Sequence, residues 1–178
     1  PAPRPPSRAG VSRRGWEAAA LARMPHYYLD LRKAKESAGR GQTPATPAVS
    51  HFFGLDAALN LLEREGWPAV YARHAAIADF LRAGLRELGL RLLADPAHAS
   101  NTVTTVWVPD GVDASALIEA LRERHGIVIA GGQGTLAGKI LRIGHLGYVE
   151  QSDMAEVLGA LRTELRRLDV PAGAVTAD

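Results

Sequence analysis

The sequence contains no cysteine among its 178 residues. Disulfide bonds and thiolate metal sites are excluded, because both need cysteine sulfur, and the composition fits a reducing cytosol. The sequence also lacks an uninterrupted apolar run of about 18 residues, the length that a membrane-spanning helix needs. No apolar segment follows the N-terminal arginines, as one would in a secretory signal. We therefore expect a soluble, cytoplasmic protein that does not enter a membrane.

Several motifs that mark enzyme classes are absent. The six histidines show no HExxH or other paired spacing, so we predict no metal site. Without a G-x-S-x-G element, a serine hydrolase with a nucleophile elbow is excluded. The glycine cluster at residues 131–134 matches neither the dinucleotide-binding fingerprint nor the P-loop.

The charge of the chain is nearly balanced, with a formal net charge of +2. The sequence pI of 9.3 reflects a small excess of arginine. Beyond the first 40 residues the charges are mixed along predicted helices, and no clustered basic face of the kind that binds nucleic acid is present. We therefore expect no nucleic-acid partner.

Composition and periodicity divide the chain into four parts. Residues 1–12 carry four prolines and no hydrophobic period, so we expect a disordered or aberrant stretch. Residues 13–88 are predicted to be a helical segment, and residues 89–170 a small α+β domain. Residues 171–178 are expected to be a disordered tail.

The hydrophobic pattern predicts the elements within these parts. After a short helix beginning at Arg13, the segment PHYYLDL is expected to be extended, and the polar stretch to residue 48 to be a loop. Two long helices are predicted next, from Ser50 and from Pro68. Strand-like runs follow in LRLLAD, TVTTVWV, GIVIAGG and KILRIGH. Helices capped by Asp113 and by Ser152-Asp153 lie around them. This order predicts a small sheet with helices packed on one face.

Arg142 is the first candidate for chemistry, because it interrupts an apolar strand-like run, KILRIGH. A guanidinium is costly to bury without a partner, and its planar fork matches a carboxylate. One interpretation is therefore a clamp for a substrate carboxylate. The alternative is plain strand alternation, in which Leu141 and Ile143 face the core and Arg142 faces water.

Two loops are the other candidates. The glycines from Gly131 to Gly134 allow backbone amides to approach a ligand, or they simply permit a tight turn. The segment from Gln42 to Pro47 precedes a predicted helix, where hydroxyls and helical amides can meet a phosphate. A rigid turn at the start of a helix explains that segment equally well.

Four stretches in the same order carry a family resemblance: PHYYLDL, GQTPATPAVSHFFGLDAALNLL, SNTVTTVWVPDGVDASAL and GIVIAGGQGTLAGKILRIGHLG. From about Arg13 to Leu168 the chain resembles the C-terminal half of class V pyridoxal-phosphate-dependent aminotransferases, in the alanine–glyoxylate and serine–pyruvate branch. The resemblance implies the small C-terminal domain of a fold-type I enzyme. The preceding helices would then lie at the interface with the large domain.

The resemblance also implies roles for named residues. Arg142 matches the family arginine that pairs with the α-carboxylate of the substrate. Thr43 and Thr46 match a stretch that reaches the cofactor phosphate of the partner subunit in a homodimer. Gly131 and Gly132 match a loop near the substrate, where backbone shape matters.

The sequence departs from the family at its cofactor-binding lysine. The family forms a Schiff base between a lysine and pyridoxal 5'-phosphate, and none of the three lysines, Lys33, Lys35 and Lys139, matches that position. We therefore expect no catalytic residue in this chain, and little or no activity from it alone. Residues 1–12 resemble an out-of-frame translation, so we expect a frameshift, a degraded gene or a split gene.

The resulting hypothesis is a fragment of a transaminase that moves an amino group between alanine or serine and glyoxylate or pyruvate. The alternative is a stand-alone, non-catalytic domain that binds a small carboxylate or a protein partner. If the chain is a transaminase fragment, we expect the isolated chain to expose an apolar patch along residues 50–85.

Overall fold

The computed structural model describes residues 10–169, so the expectations for residues 1–9 and 171–178 lie outside the described residues. The chain divides into two compact units, Pro1–Glu65 and Gly66–Asp178. Among the described helices, none is long and apolar enough to cross a membrane.

The described part of the first unit contains three helices: α1 (Arg13–Leu21), α2 (Leu31–Gly39) and α3 (Val49–Glu65). The prediction of a loop across this region is wrong for α2, and the prediction of an extended PHYYLDL is wrong as well, because residues 27–29 turn into the start of α2. Asp30 explains both differences. Its carboxylate accepts hydrogen bonds from the backbone amides of Arg32 and Lys33 and so caps the helix.

Helix α3 carries an apolar surface that the first unit does not bury. None of its residues is buried, and six large apolar side chains are exposed: Val49, Phe52, Phe53, Leu55, Leu59 and Leu61. The apolar patch expected on residues 50–85 is therefore present on α3.

The second unit contains α4 (Trp67–Glu87), β1 (Val103–Trp107), α5 (Ala114–His125), β2 (Ala130–Gly131), β3 (Ile140–Gly144) and α6 (Gln151–Arg167). The three strands form an antiparallel sheet in the order β1-β3-β2. Helix α4 packs on α6 and β1, and α5 packs on α6 and β2. The predicted α+β class, with helices on one face of a small sheet, is confirmed.

The core lies between the sheet and its three helices. Val106, Leu141 and Ile143 point from the strands towards these helices. They meet the leucines that the helices bury, which include Leu81, Leu85, Leu117, Leu121 and Leu161. The apolar stripe of α4 is therefore inside this core, so the expected patch on residues 50–85 does not extend along α4. For the same reason, the second unit begins at Gly66 and not near residue 89.

Two predicted strands are shorter than expected. LRLLAD contributes only a single bridge, from Leu92 to Val106, beside β1. GIVIAGG supplies only the two residues of β2, because its first residues complete the end of α5. Gly126 adopts a left-handed conformation there, with φ of 67°, and the amide of Ile127 donates to the carbonyl of Leu121.

The start of α6 also differs from the prediction. Glu150, and not Ser152, is the residue before the first helical turn. The carboxylate of Asp153 accepts a hydrogen bond from the backbone amide of Glu150 at 2.8 Å, as the reciprocal half of a capping box does.

Close packing of α4 on α6 predicts that Gly84 does not tolerate a side chain. A Cβ atom at this position would overlap Leu158 of α6, which is buried. Overpacking costs about 1 to 3 kcal/mol, and the preference of a helix for alanine over glycine offsets up to about 1 kcal/mol of it, so we expect Gly84→Ala to lower the free energy of unfolding by about 1 to 2 kcal/mol. Urea unfolding of the full chain measures it.

Gly159→Ala is the matched control, since a Cβ there meets nothing within 4 Å. It lies in the middle of α6, where alanine favours the helix by up to about 1 kcal/mol over glycine. Equal unfolding free energies for the two variants would contradict this packing.

Candidate functional site

Arg142 lies on the sheet face opposite the core. Its neighbours Leu141 and Ile143 are buried among the helices, so the alternation predicted for this strand is present. On the same face, Arg142 is paired with Thr105 of β1 on one side and Ala130 of β2 on the other. The side chain is nevertheless half-buried, and so it is not an ordinary solvated arginine.

The guanidinium of Arg142 is fixed by one hydrogen bond. Its Nε donates to the backbone carbonyl of Gly131 at 2.8 Å. Among residues 10–169, no carboxylate forms an ion pair with it, and its two terminal amino groups donate to no other group. A half-buried charge without a counter-ion favours an anion, and the free end of the fork matches the two oxygens of a carboxylate.

Glycine is required at position 132 beside this arginine. A Cβ atom on Gly132 would overlap the carbonyl of Leu136, where residues 133–139 fold back on the end of β2. The structure thus brings Arg142 together with Gly131 directly, and Gly132 shapes the adjoining loop. Backbone geometry is the contribution of both glycines.

Thr43 and Thr46 lie in the first unit, in the exposed segment that leads into α3. The hydroxyl of Thr43 donates to the carbonyl of Ala45 at 2.7 Å, so it already serves the local turn. The hydroxyl of Thr46 has no hydrogen-bond partner within residues 10–169. Of the two, Thr46 is therefore the one whose donor is free for a ligand.

None of the three lysines is enclosed in an apolar pocket. The ammonium groups of Lys33 and Lys35 lie 4.6 Å and 4.7 Å from the ring centres of Tyr27 and Trp16. Lys139 is exposed in the loop before β3. A lysine that forms a Schiff base needs a desolvated or otherwise activated amine, which these surroundings do not supply.

His145 is a buried residue that the sequence reasoning did not single out. It follows β3 directly and is fully buried, with Nε2 at 2.9 Å from the hydroxyl of Thr104. Its Nδ1 is buried and has no partner among the described residues. Burial lowers the pKa of His145 below the ordinary value of 6.5, and the charge of Arg82 lowers it further. The neutral ring therefore ties the end of β3 to β1.

His74 is a packing residue, as its place on the apolar stripe of α4 predicts. Its Nδ1 lies 2.7 Å from the carbonyl of Val70, and its Nε2 accepts from the amide of Gly147. Within residues 10–169, no three side chains of the metal-binding types cluster together.

Glu164 forms the other buried polar cluster that the sequence did not predict. Its carboxylate accepts hydrogen bonds from Arg124 at 2.7 Å, His125 at 2.8 Å and Arg167 at 3.1 Å. The hydrogen bond from His125 is the main cause of a lowered pKa for Glu164. The cluster borders a cleft of about 870 Å³, and Arg142 does not line that cleft. These contacts hold the ends of α5 and α6 together.

The buried state of His145 predicts a pH-dependent stability. Above pH 6.5 the ring is neutral in both states. Below pH 6.5 the ring binds a proton in the unfolded chain, whereas burial opposes protonation in the folded chain. The free energy of unfolding therefore falls as the pH drops. We expect His145→Gln to remove up to about 1.4 kcal/mol per pH unit from this slope between pH 7 and pH 5.5. Urea unfolding at several pH values measures the slope.

His98→Gln is the control, because His98 is an exposed histidine in the same unit. The His98→Gln variant should show the same dependence of the unfolding free energy on pH as the natural chain. An unchanged slope in the His145 variant would show that this ring is not the proton-linked group.

Comparison with known proteins assigns this chain to a family. Residues 28–157 match the family described as aminotransferase class-V. The chain is 40% identical over 158 residues to the soluble hydrogenase small subunit of a Synechococcus species, covering 89% of this chain and 41% of that protein. It is 43% identical over 136 residues to pyridoxamine–pyruvate transaminase of Mesorhizobium japonicum, covering 73% of this chain and 35% of that protein.

Solved structures give the same result. The crystal structure of pyridoxamine–pyruvate aminotransferase from Mesorhizobium loti superposes with a TM-score of 0.81 at 37% identity, covering 93% of this chain and 44% of that one. The chain spans about two fifths of the length of such relatives. The resemblance seen in the sequence is confirmed: the chain belongs to the class V aminotransferase family.

Proposed function

We propose that this chain is the C-terminal part of a pyridoxal-phosphate-dependent transaminase. The reaction moves an amino group between a small amino acid, alanine or serine, and a 2-oxo acid, glyoxylate or pyruvate. Relatives named as serine–glyoxylate aminotransferases, at 33% to 34% identity, support this substrate class. A solved alanine–glyoxylate aminotransferase from Nostoc, with a TM-score of 0.80, supports it too. A cytoplasmic location is part of the same proposal.

The proposal rests on the environment of Arg142, a half-buried arginine with no carboxylate partner among residues 10–169. Both the amino donor and the 2-oxo acceptor carry a carboxylate beside the reacting carbon. A guanidinium held at Nε by Gly131 leaves its terminal amino groups for the two carboxylate oxygens. One arginine therefore orients both substrates in turn, and orientation lowers the barrier by fixing the reacting atoms in place.

Gly131 and Gly132 support this role through backbone shape. The carbonyl of Gly131 sets the direction of the guanidinium, and Gly132 lets residues 133–139 fold close to β2. We assign this loop to the edge of the substrate site.

Thr43 and Thr46 are proposed to contact the cofactor phosphate of the partner subunit in a homodimer. Both are exposed, as an intersubunit contact requires of the separate chain. Thr46 supplies a free hydroxyl, whereas Thr43 would have to release the carbonyl of Ala45. The apolar surface of α3 in the same unit is suited to burial against the rest of the enzyme or a second copy.

The lysine that binds the cofactor is proposed to lie in a part of the enzyme other than this chain. Pyridoxal phosphate, when bound, supplies the aldehyde carbon that takes up and releases the amino group. The surroundings of Lys33, Lys35 and Lys139 do not suit such a lysine. What this chain contributes is the binding and orientation of substrate.

The test is a calorimetric titration of the full chain with pyruvate. We expect saturable binding in the natural chain and a loss of about 2 to 5 kcal/mol in Arg142→Ala, the usual cost of removing one partner of a buried charge pair. Arg122→Ala is the control, because Arg122 is an exposed arginine on α5 that pairs with Glu123.

Equal affinity in the Arg142 variant would place this arginine outside the substrate site. Added pyridoxal phosphate, alanine and glyoxylate test the lysine proposal in the same samples. Turnover by the chain alone would contradict that proposal. A different result would favour the alternative function. If the chain binds pyruvate but no complementary part of an enzyme makes it active, it is better explained as a non-catalytic domain that binds a small carboxylate.

A further inference from the structure

Thr105 is the cross-strand neighbour of Arg142 on the open face of the sheet. The register pairs the two residues directly. The carbonyl of Thr105 accepts from the amide of Leu93, and the amide of Trp107 donates to the carbonyl of Arg91. The backbone groups of Thr105 therefore point away from β3, which makes Thr105 and Arg142 a non-hydrogen-bonded pair. In such pairs the Cα atoms approach to about 4.5 Å and the side chains lie close together.

The hydroxyl of Thr105 has no hydrogen-bond partner among residues 10–169, although the residue is half-buried. Thr104, one position earlier, uses its hydroxyl to bind His145 inside the core. The neighbour of Arg142 on its other side is Ala130, which is exposed and brings no polar group. On this face the terminal amino groups of Arg142 and the hydroxyl of Thr105 are thus neighbouring donors, and the guanidinium of Arg91 lies 4.8 Å from the ring of Trp107 further along β1.

We propose that Thr105 is a second substrate-binding residue, whose hydroxyl donates a hydrogen bond to the carboxylate that Arg142 holds. A carboxylate has about four acceptor positions, and an arginine that binds through its two terminal amino groups fills two of them. The hydrogen bond proposed for Thr105 fills a third. The ligand class is a 2-oxo or 2-amino monocarboxylate, so this inference rests on the role proposed for Arg142.

The β-branched side chain of Thr105 makes the arrangement specific. Threonine in a strand has few χ1 rotamers, so its hydroxyl is held with little loss of entropy on binding. Valine has the same shape without the donor, and serine keeps the donor with less restriction. These two replacements separate the hydroxyl from the packing of the methyl group.

The experiment titrates pyruvate into the full chain and into Thr105→Val, Thr105→Ser and Arg142→Ala. We expect Thr105→Val to weaken binding about tenfold to a hundredfold, the effect of one hydrogen bond to a charged group. Thr105→Ser should stay within about threefold of the natural chain. Thr163→Val, an exposed threonine of α6, is the control and should bind as the natural chain does.

A second readout excludes a general loss of structure. The ¹⁵N shift of Arg142 Nε without ligand should be the same in Thr105→Val and the natural chain, since its bond to Gly131 is unaffected.

Natural affinity in Thr105→Val, or an equal loss in the serine and valine variants, overturns the role of the hydroxyl. If Arg142→Ala abolishes binding under either of these outcomes, the function proposed for the chain stands without a role for Thr105. If the natural chain shows no saturable binding of pyruvate, both proposals are overturned.

Discussion

The hydrogen bond from Arg142 Nε to the carbonyl of Gly131 connects the fold to the site. β3 is the central strand, so its inward residues belong to the core and its outward residues lie between two neighbouring strands. Arg142, at such a position, is half-buried and has no carboxylate partner among residues 10–169. One bond to the backbone of β2 fixes the plane of the guanidinium and leaves its end unpaired. Everything proposed for substrate binding depends on that orientation.

The core behind the sheet keeps this geometry in place. Leu141 and Ile143 anchor β3 on the helices, while the neutral ring of His145 fastens the end of the strand to Thr104. Gly84 lets α4 approach α6 closely, and Glu164 binds Arg124, His125 and Arg167 at the ends of α5 and α6. Tight packing behind the sheet therefore holds β3, and with it the backbone of Arg142, in a fixed position.

Sequence periodicity predicted much of this fold, and its failures have local causes. The long helices and the strands around Val106 and Leu141 follow directly from apolar spacing. Helix α2 was missed because its polar residues give no apolar stripe, and only the cap at Asp30 marks its start. Alternation around Arg142 was visible, whereas its bond to Gly131 depends on a register between β2 and β3 that sequence spacing does not set. The pairing of Thr105 with Arg142 depends on register in the same way. The burial of His145 against Thr104 needed the structure as well.

The most direct measurement is a crystal structure of this chain with pyruvate bound. We expect a carboxylate on the two terminal amino groups of Arg142, on the open face of the sheet, with Nε still bonded to the carbonyl of Gly131. A pyruvate bound elsewhere, or an Arg142 that turns into solvent and leaves Gly131, would contradict the role of Arg142 in binding the carboxylate.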